Sequence, residues 1–164
     1  MNWQIILKIG IHFLMMIISF CRDRCSSIVI EKEKIIEELH GMSAHLGNKL
    51  SAPELIASTA DDSAKIEIML SATLAEVLKL LSPYATLVNN SDEIVYELSM
   101  PSNWKTDRAD TLAALCENYL VHSLFARWLD FVKSDSAVLY RTLNMENAAA
   151  IQHILLLREK PRRD

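Results

Sequence analysis

Apolar residues recur at helical spacing through the first half of the chain. In residues 31–50 they lie three or four positions apart and form one stripe, Ile35, Leu39, Met42, Leu46 and Leu50. A wider stripe runs through residues 62–81 and consists of Ile66, Met69, Leu70, Thr73, Leu74, Val77, Leu78 and Leu81. Side chains at these spacings share one face of a helix, so both segments are predicted to be helices that pack on a core.

Two further helices are predicted in the second half. The segment "ADTLAALCENYLVHSLFARWLDFVK", residues 109–133, is apolar around almost its whole circumference, which is typical of a central helix buried on most sides. It is not expected to cross a membrane, because several charged residues interrupt it. The last helix is predicted to begin after Ser134 or Asp135 and to stop at Pro161. Its apolar stripe is Val138, Leu139, Leu143, Ala150, Ile154 and Leu157.

A β-hairpin is predicted between the second and third of these helices. Residues 84–88 favour a strand, and "NNSD" after them favours a turn. Residues 93–100 then alternate: Ile94, Tyr96, Leu98 and Met100 would face the core, and Glu93, Val95, Glu97 and Ser99 would face outward. The expected fold is therefore mainly α, a bundle of about four helices with one hairpin, near residues 84–100, before the central helix. An isolated hairpin is marginal and leaves open edges, which can recruit a strand from another chain.

The first 28 residues differ in character from the rest. Residues 3–21 form an apolar run about long enough to cross a bilayer, interrupted by Gln4, Lys8 and His12. Three interpretations stay open: a membrane anchor, a terminal helix that packs on the body or on another subunit, or an extension from a wrongly chosen start codon. Because a charged helix start follows Ser26 and Ser27, residues 1–28 are assigned outside the core fold, and 29–164 form a single domain.

Charge and motif content favour an interaction protein over an enzyme. The net charge is −4, but residues 1–30 and 158–164 each carry +2, so the middle of the chain carries −8 and repels phosphate. The chain has three glycines and no Gly-rich phosphate loop, HExxH or GxSxG pattern, and its three cysteines lack zinc spacing. No enzymatic activity, cofactor or metal site is expected. Cys116 is interpreted as a small core residue, and His122 as a half-buried, hydrogen-bonded side chain rather than a base acting with Glu117.

Four segments of the chain resemble a known class of proteins. They are "ADDSAKIEIMLSATLAEVLKLLSPY", "EIVYELSMPSNW", "DTLAALCENYLVHSLFARWLDF" and the basic ending "LLREKPRR". In this order they resemble prophage structural proteins of gut anaerobes and, more distantly, the head–tail connector (adaptor) proteins of tailed phages. The resemblance covers roughly residues 29–163 and depends on the order of the elements and on residue character.

This resemblance implies a subunit that assembles into a ring below the portal, in the host cytoplasm and in the virion. The expected partners are further copies of the chain and portal or tail proteins. We expect Val95, Glu97 and Ser99 to border a contact in which the hairpin edge of one subunit bonds to the next, and Arg162 and Arg163 to reach the portal or, weakly, DNA. The alternative is a cytoplasmic helical interaction protein, anchored in the inner membrane by residues 1–28.

Overall fold

The computed structural model describes residues 25–89, 92–132 and 134–159, which form four long helices and a three-stranded sheet. The helices are α1 (Lys32–Lys49), α2 (Ser63–Leu81), α3 (Ala109–Phe131) and α4 (Ala137–Leu156). The strands are β1 (Cys25–Glu31), β2 (Ala85–Asn89) and β3 (Glu93–Ser99). Short helical turns at Pro53–Ile56, Ala60–Asp62 and Thr106–Arg108 connect them. The predicted mainly α fold with a hairpin before the central helix is confirmed.

The sheet is antiparallel and has the strand order β1-β3-β2. Its inner face packs on the helices and is centred on Tyr96, which lies opposite Ile28 on one side and Leu87 on the other. Tyr96 is fully buried, and its hydroxyl donates to the carbonyl of Leu74 in α2 over 3.2 Å. This bond satisfies the one polar group that the ring brings into the core and ties the sheet to α2.

Strand β1 corrects the predicted domain boundary. The boundary at residue 28 falls inside this strand, and Ile28 is only 2 % exposed. Ile28 and Ile30 point inward by the two-residue period of a strand, and their backbone pairs with β3, so residues 25–28 belong to the fold. Residues 1–24, which contain the apolar run 3–21, lie outside the described residues.

Helix α3 is the centre of the core, as its all-round apolar sequence predicts. Leu112, Cys116, Leu120 and Leu124 are fully buried along it, and it contacts α1, α2, α4 and β1. Its Trp128 donates its indole N–H to the carbonyl of Ile56 over 2.7 Å, which holds the Pro53–Ile56 turn against the bundle.

The end of α4 is tied to the segment that follows the hairpin. Trp104 is buried and donates its indole N–H to the carbonyl of Ile154 over 3.0 Å. The backbone N–H of Glu159 donates to the carbonyl of Asn103 over 2.8 Å. Arg158 donates to the carbonyls of Leu155 and Leu157, where a cation is favourable at a helix C-terminus. Residues 157–159 are therefore part of the folded body.

Candidate interaction surface and polar cleft

The outer face of the sheet is exposed and carries an apolar row at its centre. This face consists of Ser27, Val29 and Glu31 of β1, Glu93, Val95, Glu97 and Ser99 of β3, and Thr86 and Val88 of β2. Val29 and Val88 both lie opposite Val95, so three valines form a row across the strands, here called the valine row. Val29 is 53 % exposed and Val88 is 40 % exposed. Outward residues of a one-sided antiparallel sheet are usually polar, so this row is unusual.

Strand β3 does not provide the open hairpin edge that was expected to bond to another subunit. Strand β3 is the central strand, with β1 on one side and β2 on the other, so its N–H and C=O groups pair within the chain. The side chains of Val95, Glu97 and Ser99 do lie on the outer face, as the alternation predicts, and their contact with a partner stays a prediction. In the described part of the chain, the outer strands β1 and β2 carry the open edges. Arg162 and Arg163 lie outside the described residues.

A polar cleft lies where α2, α3 and α4 meet. It has a volume of about 400 Å³ and is lined by Glu76 of α2, by residues of α3 and by residues of α4. The α3 residues are Tyr119, Ala126, Arg127 and Asp130, and the α4 residues are Arg141, Asn144, Met145 and Ala148. Steps of three and four residues place each set on one side of its helix, so two helices that pack side by side present both sets to the same cleft.

Glu76 is the fixed carboxylate of the polar cleft. Its Oε1 accepts a hydrogen bond from Nη2 of Arg127 over 2.5 Å, and its Oε2 accepts one from the hydroxyl of Ser123 over 3.0 Å. Burial raises the pKa of Tyr119, and the negative charge of Glu76 raises it further. Near the mouth, Arg141 of α4 pairs with Asp130 of α3. The cleft therefore holds two carboxylates and two guanidinium groups that balance in charge.

Two polar atoms of the polar cleft are left without a partner. In the described part of the chain, Nε of Arg127 and Oδ1 of Asn144 are the buried side-chain atoms that form no hydrogen bond. Asn144 is only 9 % exposed. One atom is a donor and the other an acceptor, and leaving such groups unpaired costs free energy. A second polar cluster, of His40, Ser43 and Ser58, is closed by contrast, because each buried group has a partner.

An acidic groove of about 700 Å³ adjoins the sheet. Six carboxylates line it: Glu31, Glu33, Glu37, Glu67, Asp92 and Glu93. The rest of the lining is Lys32, Ile36 and His40. Lys32 pairs with Glu67 over 2.9 Å, which leaves a large negative excess. Glu31 and Glu93 lie directly opposite each other on neighbouring strands, where like charges are unfavourable. This side of the molecule attracts cationic groups and repels phosphate.

The residues with catalytic or metal-binding chemistry are occupied in other ways. His122 is half-buried, its Nδ1 lies 3.3 Å from Nδ2 of Asn147, and burial lowers its pKa. Glu117 pairs with Lys34. Cys116 is buried in the core, which raises the pKa of its thiol to about 12 and keeps it protonated. Within the described ranges, no group of three or more His, Cys, Asp or Glu side chains could hold a metal ion.

No helix among the described residues has the length and apolar character that crossing a membrane requires. Comparison of the chain with protein-family models, with curated proteins and with solved structures finds no match.

Of these features, sequence reasoning found the outer-face residues of β3 but missed the polar cleft. The signal was present on α3: Tyr119, Ser123 and Arg127 follow one another at steps of four along an otherwise apolar helix. Polar residues at that spacing form a stripe on a helix that is buried on its other sides.

Proposed function

We propose that this protein is a non-enzymatic assembly subunit that binds its partners through the outer face of its sheet. The valine row carries this proposal. The resemblance of the chain to head–tail connector proteins suggests the specific form of assembly, a ring of identical subunits that contacts portal or tail proteins.

The valine row would contribute to association through burial of apolar surface. Fully burying a valine side chain is worth about 1.5–3 kcal/mol, so a half-exposed one contributes about 1 kcal/mol when a partner covers it. Val29 and Val88 stand on the two outer strands, so a partner that covers both also covers Val95 between them. A contact of that width lies over the middle of the sheet rather than at its margin.

The charges around the valine row define the chemistry of the partner surface. Glu97 lies beside the row on β3, and Glu31 and Glu93 lie on its other side, next to the acidic groove. A complementary partner surface would present apolar side chains at its centre and Lys or Arg around them. The basic end of the chain, with Arg162 and Arg163, has the charge for such a contact in a second copy.

The occupied state of the reactive side chains supports the non-enzymatic part of the proposal. The Cys116 thiol is protonated at neutral pH, and His122 and Glu117 are engaged with Asn147 and Lys34. A nucleophile next to an oriented base is the arrangement that covalent catalysis requires, and these three side chains do not supply it.

The test is the oligomeric state of the full chain, measured by light scattering during size-exclusion chromatography across a concentration series. The double variant Val29→Lys, Val88→Lys places two charges on the valine row without changing the core. The matched control is Ile68→Lys, since Ile68 is 73 % exposed on α2 and lies outside the sheet. We expect the unchanged chain and the control to form the same oligomer, and the double variant to be monomeric.

Two results would contradict the proposal. One is an unchanged chain that stays monomeric at high concentration and with candidate portal or tail proteins. The other is a double variant that assembles like the control. Retention in the membrane fraction of cells, lost on deletion of residues 1–24 and unaffected by the double variant, would favour the membrane-anchored alternative.

A further inference from the structure

We propose that the apolar run of residues 3–21 in one copy of the chain covers the valine row of the next copy. The segment of residues 1–24, which contains this run, is called the leader below. The inference rests on the proposed function and deepens it, because it names the partner of the outer face of the sheet. That partner is a second copy of this chain, and its leader makes the contact.

The first argument is the apolar character of both surfaces. Val29 is 53 % exposed and Val88 is 40 % exposed, on a sheet face where polar residues are usual. The same chain carries a long apolar run in residues 3–21. Exposure of either surface to water is unfavourable, and burial of apolar area stabilises a contact by about 25 cal/mol per Å². Each surface therefore gains free energy when it covers the other.

The basic end of the chain does not supply this apolar surface. Residues 160–164 are Lys, Pro, Arg, Arg and Asp, so they offer charge and one small apolar side chain. A segment that buries three valines needs several large apolar side chains, and the leader has them.

The second argument is length. Strands β1 and β3 have seven residues each and are therefore about 23 Å long. The 19 residues of the run 3–21 span about 28 Å even at the short rise per residue of an α-helix. The run is thus long enough to cross the valine row and to extend past the end of the sheet.

The third argument is complementary charge. The valine row lies between carboxylates, and the acidic groove adjoins the sheet at Glu31. The leader carries a net charge of +2, from Lys8, Arg22 and Arg24 against Asp23. An apolar centre with cations around it is the chemistry that complements the outer face.

The fourth argument identifies the donor of the leader as a second copy. Arg24 precedes Cys25, which begins β1, whereas Glu31 ends this strand beside the acidic groove. Six residue steps along the strand separate Cys25 from Glu31, which is about 20 Å. Arg22 and Arg24 are attached at the far end of the strand, too far away to reach the acidic groove of their own chain. Another copy can bring them there, in a head-to-tail contact of the kind that builds rings.

The test is complementation between two full-length variants that each lack one half of the contact. The leader variant carries Ile11→Gln, Leu14→Gln, Ile17→Gln and Ile18→Gln, which make the leader polar and leave the valine row intact. The second chain is the double variant on the valine row, which keeps its leader. Light scattering during size-exclusion chromatography measures each variant alone and their mixture. We expect two monomers alone and, in the mixture, a 1:1 complex of two 18.6 kDa chains.

A charge reversal provides a second measurement that does not depend on those variants. In the otherwise unchanged chain, Arg24→Glu should weaken self-association by about fivefold, and adding Glu31→Arg to the same chain should restore it. The matched control is Lys49→Glu, since Lys49 is exposed at the end of α1 and away from the sheet. This control should leave self-association unchanged.

A 1:1 complex that forms only in the mixture supports the inference, and so does restoration by Glu31→Arg. A leader variant that assembles like the unchanged chain overturns the inference but not the proposed function, because the valine row then binds another surface. A mixture that stays monomeric, in variants that circular dichroism shows to be folded, also overturns the inference. If either variant is unfolded, failure of Glu31→Arg to restore association overturns it.

Three further results assign the leader to a different place and overturn the inference. An unchanged chain that is monomeric, and a leader variant that assembles, would show that the leader covers the valine row of its own chain. Retention of the unchanged chain in the membrane fraction, lost in the leader variant, would show that the leader binds lipid. An unchanged chain and variants that are all monomeric would contradict the proposed self-assembly as well.

Discussion

The polar cleft and the cluster of His40, Ser43 and Ser58 differ in whether the chain satisfies the hydrogen bonds of their buried atoms. Between α1 and the segment before α2, the hydroxyl of Ser43 bonds to the hydroxyl and the backbone N–H of Ser58, and Nδ1 of His40 faces the same serine. In the polar cleft, Arg127 and Asn144 each keep one buried atom without a partner. The closed cluster holds two segments together, whereas the open one leaves two buried atoms unsatisfied.

This difference has an energetic meaning. A satisfied buried hydrogen bond adds roughly 1 kcal/mol, but an unsatisfied buried group costs about 1–3 kcal/mol. Removing a member of the closed cluster should therefore destabilise the fold, while removing an unpartnered atom should stabilise it.

The largest effect is expected for Ser43→Ala. Ser43 is fully buried and serves both polar groups of Ser58, so its loss leaves the Ser58 N–H without a partner. We expect the free energy of unfolding to fall by about 2 kcal/mol, measured by urea denaturation. The control is Ser71→Ala on the exposed side of α2, where the hydroxyl bonds only to the carbonyl of Glu67 and the change should stay within about 0.5 kcal/mol. Equal effects of the two variants would contradict the closed-cluster interpretation.

A smaller loss is expected for Arg127→Met in the polar cleft. This change removes the charge partner of Glu76. Because the pair is partly exposed, solvent screens it, and the expected loss in the free energy of unfolding is about 1 kcal/mol. Arg141→Met removes a more exposed pair with Asp130 and should cost less than about 0.5 kcal/mol. The difference between the two variants, measured by denaturation in low and in 1 M salt, should shrink at high salt. A larger loss of stability for Arg141→Met than for Arg127→Met would contradict the expectation that the Arg127–Glu76 pair contributes more to stability.

Asn144→Leu should have the opposite sign. Leucine has a similar size and removes the unpartnered oxygen, so we expect the free energy of unfolding to rise by about 0.5–1 kcal/mol. The measurement is thermal and urea denaturation. A loss of stability would show that the Asn144 side chain supports the fold instead.

The smallest expected effect concerns His122, a polar contact between α3 and α4 outside both clusters. Burial lowers its pKa below the ordinary 6.5, so the unfolded chain takes up a proton at a higher pH than the folded chain does. Its contribution to stability is complete above pH 6.5 and is lost as the pH falls through that value toward the folded pKa. We expect a loss of a few tenths of a kcal/mol between pH 7.5 and 5.5, because the ring is half-exposed.

The control for this pH dependence is a pair of variants. His122→Gln should reduce the loss between pH 7.5 and 5.5, and His45→Gln, on the exposed side of α1, should leave it unchanged. If the full loss of stability between pH 7.5 and 5.5 persists in His122→Gln, a group other than His122 causes it.

Local sequence pattern predicted the helices and the hairpin well, because each is stabilised by contacts near in sequence. The four-residue step from Ile35 to Leu39, and the alternation from Ile94 to Leu98, report directly on burial. Strand β1 was missed because its partner lies more than 60 residues away and because Val29 is apolar on the outward side. Because Val29 is apolar although it faces outward, residues 28–30 lack the alternation of apolar and polar residues that predicts a strand.

The polar cleft was beyond local pattern for a related reason. Its residues come from three helices, and the presence of Asn144 and Arg127 in one cleft depends on how α4 packs on α3. The sequence did indicate that Arg127 and Asp130 interrupt an apolar helix. It could not indicate that the partners of these charges are Glu76 of α2 and Arg141 of α4.

The strand order β1-β3-β2 gives the sheet two different outer strands, which would limit any edge contact that copies of the chain made in addition to one over the valine row. A contact between β1 of one copy and β2 of the next is head-to-tail, and each added copy repeats the same rotation. Such a series closes on itself when the rotation divides a full circle, and otherwise it continues as a filament. The angle at one junction would then determine how many copies a closed ring could contain.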